Sequence, residues 1–234
     1  MIGFDRPLKP QWIYETLLLA EPGQKLNDLN KPFESITKEL TGKEGKRKVR
    51  TVLFRYFLRN EESNNKVKNE LILKDMSLNY GLEFMAPIYL FYLIGKAEVL
   101  YKTSEHLFRL YSFGATINVP FLKEKIIDAY GDRDVVSRSV SSFLKTLIYF
   151  NVAAENNKDI ILESPLVIDE EQFSLMVQLF SHDIIRTPQV ALHDLPEPLF
   201  NYFELPNLKT VAQKKSGQLW EYQQRVGSDF LVVY

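Results

Sequence analysis

Between residues 103 and 162 the apolar residues change spacing from helical to alternating, and a cap or breaker marks each change. The spacing predicts a helix over 104–113, ended by Gly114, and then a short extended piece, Thr116-Ile117. Asn118 can cap a second helix that runs to Tyr130 and stops at Gly131. A third helix is predicted over 135–150. The chain then alternates through 152–155, turns on Asn156-Asn157-Lys158, and returns as Ile160-Ile161-Leu162. Three helices and a hairpin in this order predict a winged helix-turn-helix, whose commonest use is docking on a nucleic-acid duplex.

The flanking regions read as helical on the N-terminal side and mixed on the C-terminal side. Trp12, Thr16 and Leu19 can share one helical face before Pro22-Gly23 breaks the chain. A short helix is expected over 32–40, with Phe33, Ile36 and Leu40 on one side, ending at Thr41-Gly42. A longer one is expected from about Gly45 to Leu58, with Val49, Leu53, Phe54 and Phe57 inward. Residues 60–65 read as a polar loop, and 66–75 fit helix or strand equally. The apolar run 84–94 predicts a buried helix with Pro87 in its first turn; it is about half the roughly 20 residues that span a bilayer. Asp169 with Gln172 forms a capping box before Phe173, Met176, Val177 and Phe180. The proline-bearing stretch 181–198 reads as a long loop. A helix over 206–216, strands over 219–223 and 230–234, and a turn at Gly227-Ser228 close the chain. That ending fits a second, degenerate winged unit or a plain α/β cap. The expected fold is thus α+β and mostly helical. It comprises an N-terminal helical region with a basic helix (1–101), a winged helix-turn-helix (102–168), and C-terminal helices with a β-hairpin (169–234).

Two basic surfaces are candidates for DNA. On the third helix of the module, Val136, Val140, Phe143, Leu144 and Leu147 must face the core. Arg138, Ser141, Ser142 and Lys145 then fall on the opposite side at i, i+3, i+4 and i+7. Arginine there can reach base edges or phosphate, and small hydroxyls allow close approach. Arg133 precedes the helix, and Lys158 sits at the hairpin tip. Asp132, Asp134, Glu155 and Asp159 lie nearby and oppose phosphate, and any solvated helix shows a polar outer face. The second surface is the run Lys43, Lys46, Arg47, Lys48 and Arg50, continued by Arg55 and Arg59 and opposed only by Glu44. Cations at a helix N-terminus conflict with its dipole unless an anion compensates; a solvated charge run is the plainer alternative.

Other chemistry is poorly provided for. The chain has no cysteine, which excludes disulfides, thiolate metal sites and cysteine nucleophiles. Gly42-Lys43-Glu44-Gly45-Lys46-Arg47 lacks the spacing and hydroxyl of a nucleotide-binding P-loop. No Gly-x-Ser-x-Gly elbow occurs. His182-Asp183 and His193-Asp194 could suggest a metal hydrolase, but no third histidine is well placed. No enzyme activity, metal or cofactor is expected. The formal net charge of −1 gives DNA binding no global support, so only a local basic face could supply it. The opening residues lack an apolar signal region, and a cytoplasmic, non-membrane location is expected.

In order and character of elements the chain resembles the BrxA family, accessory proteins of the BREX phage-defence systems. The resemblance rests on residues 135–152, where hydroxyl and basic residues lead into an apolar helix and a strand. It rests also on the helix-plus-hairpin ending, 199–234, and on the basic helix 46–59. It covers most of the chain by pattern and few positions by identity. It implies a non-catalytic protein that binds double-stranded DNA and works with other proteins of a defence complex. The Arg138 and Lys145 face carries over only as a similar position. The family's glycine- and leucine-rich opening is not evident here. The rival expectations are a protein-interaction module without DNA, suited by the many tyrosines and phenylalanines, and a metal-dependent hydrolase using the two His-Asp pairs.

Overall fold

The run 84–94 is apolar on every side, and a helix of that kind must be enclosed by others. The computed structural model, which describes residues 3–60, 65–225 and 228–234, places it at the centre of the fold. This helix, α5 (Leu82–Lys96), is touched by α1 (Pro10–Leu19), α4 (Ile72–Asn79), α6 (Glu98–Leu110), α9 (Glu170–Leu179) and α10 (Glu197–Phe200). Every residue from Pro87 to Ile94 is buried. Pro87 lies beyond the first turn, contrary to expectation, so the Glu83 carbonyl has no i+4 N–H to accept. Enclosure on all sides holds the helix together despite that loss. No single helix among the described residues is long and apolar enough to cross a membrane.

The N-terminal region departs from its predicted bounds in instructive ways. In α1 the buried face is Trp12, Ile13, Thr16 and Leu17; Leu19 is 47 % exposed because the face turns toward α4 and α5. Helix α2 (Asn30–Ile36) starts earlier and ends sooner than its spacing suggests, since the Thr37 hydroxyl bonds the Phe33 carbonyl and closes the turn. Helix α3 (Lys43–Leu53) begins before Gly45. It then widens into a π turn (Phe54–Leu58), which buries Phe54, Tyr56, Phe57 and Leu58 together. The expected loop 60–65 falls largely outside the described residues. Residues 66–75 hold two isolated bridges, Lys25 with Lys66 and Arg59 with Val67, and then enter α4.

The middle of the chain follows the predicted order. After α6 come β1 (Thr116–Ile117), α7 (Val119–Tyr130), α8 (Asp134–Tyr149), β2 (Ala153–Asn156) and β3 (Asp159–Leu162). Helix α6 starts and stops before the predicted bounds because Ala97 breaks it from α5 and its last turn ends at Leu110. Asn118 caps α7 by accepting from the Phe121 N–H (3.1 Å). Gly131 ends α7 in a left-handed conformation (φ 83°) that a side chain would resist. The three strands form an antiparallel sheet in the order β1-β3-β2, with Thr116 opposite Ile161 and Ala153 opposite Leu162.

The stretch 181–198 is not a loop. A second π turn (Phe180–Ile185) extends α9, followed by β5 (Gln189–Ala191), a 3-10 turn (Leu192–Asp194) and α10. The prolines fit this structure: Pro198 sits in the first turn of α10, and the Pro188 carbonyl accepts from the Val233 N–H. Then come β6 (Phe203–Glu204), α11 (Leu208–Lys214), β7 (Trp220–Arg225) and β8 (Ser228–Val233). The last sheet is antiparallel in the order β5-β8-β7, so it repeats the strand order of the first. β4 (Leu166–Val167) pairs in parallel with β6.

One hydrophobic cluster runs through all three predicted regions. The line drawn at 101/102 falls inside α6, and the β4–β6 pair crosses the one at 168/169. Tyr202, fully buried, donates to the Ser104 hydroxyl (2.8 Å) and meets Phe108 and Phe143 edge-on.

Candidate nucleic-acid interface

Helix α8 turns Val136, Val140, Phe143, Leu144 and Leu147 fully inward, as its spacing requires. Its outer side carries Arg138, Ser141 and Lys145. Ser142 does not belong with them: it is buried, 8 % exposed. Together with Ser139 and Thr146 it forms a stripe of hydroxyls covered by the extended N-terminal arm, residues 3–9. The Phe4 N–H donates to Ser139 Oγ (2.9 Å) and the Leu8 N–H to Thr146 Oγ1 (3.1 Å). Each hydroxyl in turn donates to a carbonyl one turn back in α8, Val135 and Ser142 respectively. These small polar residues therefore satisfy the chain's own backbone. Spacing placed Ser142 on the outer face and did not single out Ser139 or Thr146, because the arm that covers them lies more than a hundred positions away.

The two cations of this outer side, Arg138 and Lys145, have carboxylate partners. Arg138 Nη2 lies 2.7 Å from Asp134 Oδ2, one turn earlier. Lys145 Nζ lies 2.7 Å from Glu155 Oε2 on β2, which brings the hairpin alongside the helix. That hydrogen bond raises the Lys145 pKa against the opposing effect of burial. Arg133 Nη2 bonds the Tyr130 carbonyl (2.8 Å) at the end of α7. Lys158, Asn156 and Asn157 are exposed at the hairpin tip, where Asn157 takes a left-handed conformation (φ 59°).

Helix α3 holds the second set separately. It packs on α2 and its own π continuation, whereas α8 packs on α6, α7 and β2. Glu44, in the first turn, pairs with Arg47 (2.8 Å), so the expected clash with the helix dipole is partly met from within. The Arg47 bond lowers the Glu44 pKa, and Glu44 raises that of Arg47. Lys46 Nζ reaches the Glu34 carbonyl (3.4 Å); Lys43 is exposed and Lys48 half-buried. Arg50 is half-buried, and burial lowers its pKa, with Glu34 acting in the opposite sense. Arg55 is structural: it donates to the Gly3 carbonyl (2.6 Å) and anchors the arm.

The three histidines lie on three different elements, His106 on α6, His182 in the second π turn and His193 in the 3-10 turn. His193 meets Phe230 edge-on, and His182 is exposed in the second π turn. Among the described residues no group of three or more His, Asp or Glu could hold a metal ion. Burial lowers the His106 pKa, as do Arg109 and Lys102, and its Nδ1 has no hydrogen-bond partner.

Compared with known proteins, the chain matches no family model, no curated sequence and no solved structure.

Proposed function

We propose that residues 98–162 are a winged helix that binds duplex DNA, with α8 as the helix that enters the major groove and the β2–β3 hairpin as the wing. The observation that carries the reading is the topology: helix, strand, helix, helix, then a hairpin whose return strand sits between the other two. Arg138, Ser141 and Lys145 are the groove-facing side chains, with Arg133 and Lys158 at the flanking phosphates. The ion pairs do not forbid this. Exposed pairs are worth about 0–1 kcal/mol, so a phosphate can replace Asp134 or Glu155 at small cost. Lys43, Lys46, Arg47, Lys48 and Arg50 on α3 supply a further, sequence-independent phosphate contact. The repeated element order of α9 to β8 supports a second, degenerate winged unit with α11 in the place of α8. The protein acts without turnover, as an accessory within a multi-protein phage-defence complex of the kind its BrxA resemblance implies.

A salt-titrated gel shift with duplex DNA tests the proposal. Binding should weaken steeply with salt, and Arg138→Ala with Lys145→Ala should lower both affinity and the salt slope. Absence of a shift at low salt rejects it. One observation favours a second reading, a protein-interaction module: Arg47, Arg138 and Lys145 are all engaged by carboxylates of the chain itself. Under that reading the double variant would leave any DNA retention unchanged. A gene neighbourhood encoding a methyltransferase, an ATPase and a phosphatase-like protein would support the place in a defence complex.

A further inference from the structure

Arg50 on α3 and Arg59 just past the first π turn stand nine positions apart. In an unbroken α-helix that separation is about two and a half turns, which would put the two side chains on opposite sides. The π turn (Phe54–Leu58) and the extended backbone of Arg59 (φ −65°, ψ 131°) break that relation. Both arginines line one pocket of about 150 Å³, where the turn Leu26–Leu29 and the start of α2 face α3. A π turn interrupting a helix recurs at functional sites.

The pocket is polar and, among the described residues, lined by no carboxylate: Asn27, Asn30, Thr51 and Asn65 join the two arginines. Arg47, Arg138 and Lys145 each pair with a carboxylate of the chain itself. Arg50 and Arg59 are in no ion pair among the described residues. Arg50 is half-buried; Glu34 favours its charge from beyond contact, and Arg47 opposes it. The Arg59 Nε is buried and has no hydrogen-bond partner. The amide groups of Asn27, Asn30 and Asn65 make no hydrogen bond among the described residues either.

A partly buried cation without a counter-ion and a buried donor without an acceptor are both costly, and here they meet in one pocket. We propose that this pocket binds a single phosphate group, as inorganic phosphate or as the phosphoryl end of a small phosphomonoester. A tetrahedral oxyanion has oxygens enough to answer both guanidinium groups, the Arg59 Nε included, and still accept from the asparagine amides. The volume is well below the roughly 300 Å³ at which sites for larger molecules begin, so the group would enter without a base or acyl chain behind it in the pocket. The inference does not rest on the DNA reading. It shares Arg50 with the basic run of α3, but Arg59 and the asparagines lie outside that run.

Titration calorimetry of the whole chain with sodium phosphate, in a buffer otherwise free of phosphate and sulfate, is the test. Saturable one-to-one binding is expected, with a dissociation constant below about 1 mM. Arg50→Gln and Arg59→Gln should each weaken it about tenfold or more, whereas Arg138→Gln should leave it within about twofold. The pocket variants must keep the parent circular dichroism spectrum. Should Arg59→Gln fail to fold, Asn30→Asp takes its place: a carboxylate in the lining should weaken binding at least as much. Glycerol 3-phosphate, titrated in the same way, separates the two sources. Affinity equal to or above that of phosphate supports a phosphoryl end, and about a tenfold loss supports the free ion. No saturable binding of either compound, or binding unchanged in the arginine variants, overturns the proposal. So does loss of duplex retention in Arg50→Gln and Arg59→Gln without any heat from phosphate, which would assign the pair to a nucleic-acid backbone. A chain that takes up phosphate but no duplex would sink the DNA reading and leave this one standing.

Discussion

The units α6 to β3 and α9 to β8 share a strand order but differ in what their last helix exposes. In the first, α8 has sixteen residues and lies under the arm on one side while its Arg138 side faces solvent. In the second, α11 has seven residues, and the lysines at its end are tied back to α9: Lys214 to Glu170, and Lys215 to Glu171 (2.7 Å). The second hairpin is the longer, six residues a strand, and is anchored by Trp220, fully buried with its Nε1 bonded to the Ala212 carbonyl. One topology has thus been given a long, presentable helix in one case and a short, cross-linked one in the other. Strand order alone does not decide which surface can meet a partner.

The comparison breaks first at the core. Phe143→Ala and Trp220→Ala, one in each unit, should each destabilise by about 3–5 kcal/mol. Because the cores are continuous, denaturant unfolding followed by near- and far-UV circular dichroism should stay a single transition in both variants. Two separated transitions would show that the units fold independently. A smaller effect separates the two sides of α8. Ser139→Ala orphans the buried Phe4 N–H and should cost about 1–3 kcal/mol, while Ser141→Ala, on the exposed side, should change stability by less than about 0.5 kcal/mol. Equal effects would remove the distinction between the covered and the open stripe.

Helix starts allow a finer test. Asn118→Ala in the first unit and Asp169→Ala in the second should each cost about 1 kcal/mol by chemical denaturation. Asp169 should be the costlier, since Gln172 returns a bond to its N–H and the box is lost as a unit.

The smallest expected effect depends on pH. The hydrogen bond from Lys215 holds the Glu171 carboxyl below its ordinary pKa, with Tyr80 adding to it against burial. A carboxylate depressed in the folded chain stabilises it above the unfolded pKa and loses that contribution as pH falls through the folded one. Stability should therefore decline on acidification below the ordinary carboxylate range, and Lys215→Met should flatten the part owed to this pair. Glu171 is more than a third exposed on its side chain, so solvent screening keeps the contribution small. An acid limb of unchanged slope in Lys215→Met would remove the α9–α11 link as a source of order.

What the sequence made legible was local chemistry. Asn118, Gly131 and the Asp169–Gln172 box mark helix ends through bonds between near neighbours, and those ends stand where their side chains put them. The inward faces of α8 and α9 followed from spacing for the same reason. Features set by distant parts of the chain were not legible. Ser142 looked open because nothing nearby in sequence covers it. The β5 strand was hidden among prolines because its partner, β8, lies some forty residues on. Of the candidate interface, spacing found the Arg138 and Lys145 side, but not their pairing with Asp134 and Glu155.

The arm over α8 has a consequence for how the chain is made. Phe4 and Leu8 find their partners 135 and 138 positions downstream. While the chain is being synthesised these residues emerge well before Ser139 and Thr146 exist, so the bonds that tie the arm to α8 form only after translation has passed that helix, although Arg55 and Tyr56 can meet the arm's first residues sooner. Closing so long a loop is slow compared with forming any single helix. Nascent chains halted before residue 139 should accordingly recruit chaperones at this segment, and chains halted well beyond α8 should not.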